Sequence, residues 1–153
     1  MMDAENAFSK VINGTFVITS GTGARTNGMT AAWVTRVSHV PPLIAVSVGH
    51  SRYTRQIIDD AGAFCVNVLS SSQLEIGKRF GFVSGKNEDK LEGIRHEMGE
   101  LGCPILEGVA AHMECKVIDA LDAGDHTVYI GEVIAAGCDK DKDGLVARMS
   151  DYR

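Results

Sequence analysis

The chain predicts a mainly β fold, a small barrel with short helices over one open end. Three observations carry that expectation. Most apolar stretches are short, β-branched and bounded by glycine, proline or small polar residues, the pattern of strands. The two helix-like stretches are short and lie mid-chain, so no regular βαβ repeat develops. No glycine-rich fingerprint stands between a strand and a long helix, which disfavours a doubly wound nucleotide fold.

Val11–Thr19, VINGTFVIT, reads as a first strand with a bend or bulge at Gly14. SGTGARTNG, Ser20–Gly28, is the clearest turn, and Met29–Ser38 reads as one second strand, so residues 11–38 form an expected hairpin. His39–Pro42 breaks it, because two prolines cannot continue a ladder. Leu43–Val48 is a compact strand, and Ser51 is placed to cap a helix over Arg52–Asp60. Ala63–Leu69 is a strand, and Ser70–Phe82 a second serine-capped helix. Residues 83–108, polar and glycine-rich, read as loop with one or two helical turns. Ala110–Leu121 and His126–Gly137 form a long hairpin turned at Asp122–Asp125. DKDKDG, Asp139–Gly144, is a charged turn that lacks the flanking helices of a calcium loop. Leu145–Met149 is expected as a last strand. Long strands with apolar character on both sides predict that part of the barrel exterior is buried, most economically in a dimer.

At 153 residues the chain suits one domain, 1–153, with a sizeable core. Its formal net charge of −5 disfavours nucleic acid as the main partner. No stretch approaches the ~20 apolar residues that cross a bilayer. The opening MMDAENAF carries acids where a secretory signal has a basic flank. Cys65, Cys103, Cys115 and Cys138 are scattered without a CxxC pair, so reduced, mostly buried thiols in a cytoplasmic protein are expected, and no zinc site. The charge is unevenly spread. Asn6–Ile58 contains no Asp or Glu but holds Lys10, Arg25, Arg36, Arg52 and Arg55. That field suits an anionic ligand; the same cations would equally serve as surface groups facing acids from elsewhere in the chain.

Four stretches carry candidate chemistry. In NGMTAAWVTRVS, alternation puts Thr30, Ala32, Val34, Arg36 and Ser38 on one face and Met29, Ala31, Trp33, Thr35 and Val37 on the other. Such mixed faces suit a ligand with an apolar ring and polar edges, and Ala31 and Ala32 let a flat ring approach the backbone. In SVGHSRYTR, a strand-to-helix junction would offer free N–H groups to phosphate, with Arg52 and Arg55 adding charge-assisted bonds. In FVSGKNEDK, Lys86 would reach an anion while Asp89 and Lys90 pair or fix the loop. In AGDHTVYIGEV, His126 opens a strand at the barrel mouth, although a lone histidine is more often structural. No acid–base–nucleophile set and no HExxH motif emerges.

The stretches NGMTAAWVTRVSHVPPLIAVSVG, SRYT, VNVL, SG with the later DK, and GDHTVYIGEV follow one another in an order that resembles the flavin reductase-like FMN-binding split-barrel family of flavin reductases and flavoredoxins, over roughly residues 5–137. The resemblance implies a split β-barrel of FMN-binding type with short covering helices. It implies that Asn27, Met29, Thr30, Ala32 and Trp33 lie against the flavin ring or ribityl chain, with Thr35 and Ser38 near its polar edge. Ser47, Ser51, Arg52 and Thr54 would hold the phosphate end, and Ser84, Lys86, Asp89 and Lys90 would lie near the cofactor. His126 would stand near the flavin and the incoming nicotinamide of NADH or NADPH, as the candidate catalytic residue. The implied activity is hydride transfer from NAD(P)H to FMN and onward electron transfer, by a reductase or by a flavoredoxin-like carrier with a protein redox partner. A non-catalytic flavin-binding protein is the third possibility. A homodimer with the flavin near the interface is implied too. The chain stops soon after Tyr152 and Arg153, so a longer C-terminal segment, which can cover the cofactor in such proteins, is expected to be missing.

Overall fold

The computed structural model describes residues 3–86 and 88–152. A short helix α1 (Ala4–Phe8) precedes the strands β1 (Phe16–Gly21), β2 (Thr26–Ala31), β3 (Val34–Ser38) and β4 (Leu43–Gly49). Helix α2 (Tyr53–Ala61), strand β5 (Ala63–Val68) and helix α3 (Leu74–Phe82) follow. A two-stranded ribbon β6 (His96–Met98) and β7 (Pro104–Leu106) leads into the long strands β8 (Ala111–Ala123) and β9 (His126–Cys138), and a 3₁₀ turn covers Met149–Tyr152.

The main sheet runs β2-β1-β5-β8-β9-β4-β3, antiparallel throughout. Its two edge strands, β2 and β3, are consecutive in the chain and joined only by Ala32 and Trp33. In a flat sheet the six strand spacings between them would span roughly 29 Å. Three Cα steps reach at most about 11 Å. The sheet therefore curls until its edges meet, yet the edges do not pair, and the result is a barrel with an open seam.

Alternation sorts the buried side chains into two layers. Ile18, Met29, Val46, Val48, Phe64, Val66, Cys115 and Tyr129 fill the barrel. Val17, Leu69, Phe80, Leu91 and Leu106 form a second core outside it, beneath α3. Helix α2 buries Thr54, Ile57 and Ile58, one face at i, i+3, i+4 spacing, and packs on β1, β2 and β5. It stops at Gly62, whose φ of +68° is the left-handed cap that glycine adopts without strain.

Several local expectations change. The expected strand Met29–Ser38 is two strands on opposite edges, because closing the curl needs a sharp corner at Ala32–Trp33. The first strand begins at Phe16 rather than Val11, and Gly14 makes only an isolated bridge to Val146. Ser51 does not cap α2 and Ser70 does not cap α3; Arg52 and Gln73 hold those positions without side-chain cap bonds. Residues 83–108 contain the β6–β7 ribbon, whose strands of three residues are too short for a readable period. Leu145–Met149 is no strand: Val146 bridges Gly14 and the 3₁₀ turn follows. The long hairpin is confirmed, with a tighter turn. Ala123 pairs with His126, leaving Gly124–Asp125 as a two-residue loop with glycine at positive φ.

Cys65, Cys103 and Cys115 are buried and Cys138 is exposed; all four are free. Burial pushes the Cys103 thiol up to about 11 and Cys115 to about 12, so neither is a thiolate at neutral pH. Among the described residues no helix is long and apolar enough to cross a membrane, and no cluster of His, Cys, Asp or Glu is arranged to hold a metal.

Candidate functional site

A two-lobed cleft opens where β2, the β4–α2 corner and the end of α3 converge. The first lobe, about 210 Å³, is walled by Asn27 from β2, by Ser51, Arg52, Tyr53 and Thr54 at the start of α2, by Gly81 to Gly85 at the end of α3, and by Lys90. The second, about 310 Å³, is walled by Met29 to Trp33, by Ser47 and Gly49 from β4, and by His126 at the start of β9. Ser51 and Arg52 line both, so the lobes meet at the β4–α2 corner.

The first lobe is built around two cations. Lys90 is 3% exposed, and its Nζ donates to the carbonyls of Gly28 (2.9 Å) and Phe80 (3.0 Å). Arg52 donates to the same Phe80 carbonyl at 3.4 Å. Neither joins a salt bridge to a carboxylate among the described residues. Burial, and then the charge of Arg52, pushes the Lys90 ammonium down to about 8. Burial also lowers Arg52. Two neighbouring cations without an acid make a strong anion site, and the first turn of α2, free of any side-chain cap, adds the positive end of a helix. The floor is rigid. Buried Asn27 donates to the fully buried Thr54 hydroxyl at 2.9 Å. Gly85 lies directly over Asn27, where a Cβ would fall 2.3 Å from its Oδ1.

The second lobe is flatter and more apolar. Trp33 is 58% exposed, and its ring centroid lies 4.7 Å from that of His126 at a 42° tilt. His126 Nδ1 meets Asp125 Oδ1 at 2.6 Å, and that bond holds the Asp125 carboxyl below its usual range. The Nε2 edge of the ring faces Gly49, where a Cβ would sit 3.7 Å away.

The cleft gathers Asn27, Met29, Thr30, Ala32, Trp33, Ser47, Ser51, Arg52, Thr54, Ser84, Lys90 and His126. It does not gather Thr35, Ser38 or Lys86. Thr35 and Ser38 follow the corner at Trp33 on edge strand β3, and Thr35 faces solvent. Lys86 is exposed, and its loop folds back through a bond from its own N–H to Ser84 Oγ. Two readings take a different form. The Thr30 hydroxyl is committed to the Gly77 carbonyl at 2.6 Å. Asp89 and Lys90 do not pair: the Asp89 carboxylate accepts from Leu91 N–H while Lys90 turns inward. Tyr53, Gly81, Phe82, Val83 and Gly85 join the lining without having been singled out. The double glycine in FGFVSG was the one visible signal for the α3 wall.

The one-sided charge of residues 6–58 resolves into separate roles. Lys10 and Arg36 are exposed, Arg25 pairs with Asp60 just beyond the stretch, and only Arg52 reaches the cleft.

Comparison with known proteins places this geometry. The flavin reductase like domain matches residues 8–153. A flavin reductase of Pseudomonas putida is 37% identical over 126 residues, covering 82% of this chain and 72% of that protein. The NADH:FAD oxidoreductase of Streptomyces globisporus, solved in complex with NAD and FAD fragments, superposes with a TM-score of 0.87 at 31% identity, over 94% of this chain and 85% of that one. A flavoredoxin of Methanosarcina acetivorans superposes at 0.84 with 27% identity, over 93% and 83%. With its curled seven-stranded sheet, its cation-walled cleft and a match over nearly its whole length, the chain belongs to the flavin reductase like domain family.

Proposed function

We propose that the cleft binds the FMN moiety of a flavin and that the protein is an NAD(P)H:flavin oxidoreductase. The observation that carries the reading is the pair of buried Lys90 and half-buried Arg52, the latter at the start of α2, with no salt-bridged acid among the described residues, continuous with a flat lobe between Ala31–Trp33 and His126. The phosphate belongs in the first lobe, where both cations and the uncapped helix turn face it. The ring belongs in the second, against the small Ala31 and Ala32. When bound, flavin supplies the redox chemistry, accepting a hydride from the nicotinamide and passing electrons onward. The chain's part is placement and electrostatics. Arg52 and Lys90 neutralise the phosphate, Trp33 walls the ring lobe, and His126 orients the nicotinamide with the Nε2 edge that Asp125 turns to the cleft.

The names of the relatives support both the flavin and the nicotinamide, and the FAD-linked relative keeps FAD beside FMN as a ligand. A carrier that takes electrons from a protein is the second reading, favoured by the flavoredoxin likeness and by a ring lobe whose Trp33 stands open to solvent. The same reading includes a homodimer. Ile118, Leu121 and Ile134 form an apolar exterior on the long hairpin, with Leu121 67% exposed.

An anaerobic absorbance trace of the purified protein separates these. Bleaching of a bound or added flavin by NADH or NADPH within a turnover time is the expected result, and it selects the nicotinamide. Bleaching by dithionite alone supports the carrier. A protein that neither binds nor reduces flavin overturns both.

A further inference from the structure

We infer that His50 and Asp122 are a positioning pair that holds the nicotinamide end of the cleft in register, acting through His126; the inference rests on the oxidoreductase reading. β8 pairs with β5 only as far as Lys116, opposite Ala63. Beyond Lys116 its only sheet neighbour is β9; Val117 N–H still donates to the Gly62 carbonyl at 3.0 Å, and the exposed arm is Ile118–Ala123. Strand β9 is held on its other side by β4, down to Gly49 opposite His126, so only the β8 edge of the hairpin lacks a second strand there. The hairpin's tip carries His126 and forms a wall of the cleft.

His50, the residue after β4, adds a tie from the β4–α2 corner to that β8 edge. Its backbone N–H donates to the Asp125 carbonyl in the turn at 2.9 Å. Its Nε2 lies 3.3 Å from Asp122 Oδ1 on the β8 arm. Asp122 also accepts from the hydroxyl of Thr127, its register partner on β9, at 2.9 Å. One carboxylate thus joins the β4–α2 corner to both arms of the hairpin. Because His50 meets Asp125 through the main chain, the Asp125 carboxylate stays available to His126 Nδ1. The order of dependence runs from Asp122, through the tip, to the orientation of His126 against Trp33. The phosphate lobe is fixed by other bonds, those of Asn27, Thr54 and Lys90.

The pair therefore acts on the nicotinamide and not on the flavin. Asp122→Ala should raise the NAD(P)H concentration needed for half-maximal flavin bleaching by about three- to fivefold, the size expected for exposed charged contacts. The limiting rate should change less, and the flavin Kd should stay within about twofold. Asp122→Asn, which keeps an acceptor for Thr127 and His50, should restore most of the loss. His50→Ala keeps the main-chain bond and tests the side-chain contact alone if Asp122→Ala fails to fold. Trp33 is the single tryptophan, so its emission gives a readout that needs no turnover. It should shift in Asp122→Ala and His50→Ala and return in Asp122→Asn. Unchanged emission with an unchanged nicotinamide dependence, or a flavin Kd that rises in step, overturns the inference. If neither nicotinamide bleaches the wild-type protein, the oxidoreductase reading fails, and the Trp33 shift alone decides the positioning role.

Discussion

Lys90 is the residue on which the site turns. A buried ammonium held only by two carbonyls keeps its charge poorly, and burial has already brought it down to about 8. Phosphate needs the protonated form. FMN affinity should therefore be greatest below pH 8 and weaken by up to tenfold per unit as pH rises above it, while riboflavin, which lacks the phosphate, shows no such slope. Lys90→Met should remove the slope, as a flavin fluorescence titration at several pH values would show. Stability of the ligand-free protein runs the other way. The unfolded ammonium titrates near ~10.4, so the Lys90 contribution to folding is fully present above that value and is lost as pH falls through about 8. Gly85 offers a purely steric test. Asn27 is buried and bonded to Thr54, so a Cβ on Gly85 cannot be accommodated by a side-chain swing and the loop must lift. Gly85→Ala should weaken flavin binding by about tenfold with thermal stability little changed, since the loop lies at the surface end of α3.

Among the elements, the corner between β2 and β3 and the end of α2 do the most to place the cleft. The corner sends β3 to the far edge of the sheet and leaves Ala32 and Trp33 in the seam. Helix α2 starts at the anion lobe and ends at Gly62 with φ +68°. Gly62→Ala forces that conformation on a residue with a Cβ and should cost roughly 1–2 kcal/mol. Nothing lies within 4 Å of the added carbon, so the cost is backbone strain alone. The helix start is nine residues away, so flavin affinity should be unchanged; urea unfolding and a flavin titration on the same preparation check both halves.

Across the whole molecule, the exposed arm of β8 is where the proposed homodimer is tested. Ile118 and Leu121 on the arm, with Ile134 on β9, present apolar surface that a second copy would cover. Light scattering after size exclusion should give twice the mass of the 153-residue chain, and Leu121→Lys should shift it toward the monomer. A wild-type protein that remains monomeric at high micromolar concentration would refute the homodimer.

Much of this was readable in the chain because it depends on local chemistry. Short β-branched runs bounded by turn residues marked the strands, the prolines after His39 marked a break, and the stretch after Ser51 read as a short helix. Resemblance brought in the flavin and most of the residues that line the cleft. What the sequence by itself determined was therefore a mainly β chain with an arginine-bearing strand-to-helix corner and a histidine opening a strand. Tertiary structure alone decided the rest. Closure of the sheet split one apparent strand into two edges, because the curl demanded a corner that no local propensity encodes. It also chose the cations: four of the five early ones went elsewhere, and Lys90, read from the residues alone as pairing with Asp89 or fixing its loop, was drawn inward beside Arg52. Which charge ends buried depends on which carbonyls converge from distant segments, here those of Gly28 and Phe80, and that convergence exists only once the barrel has closed.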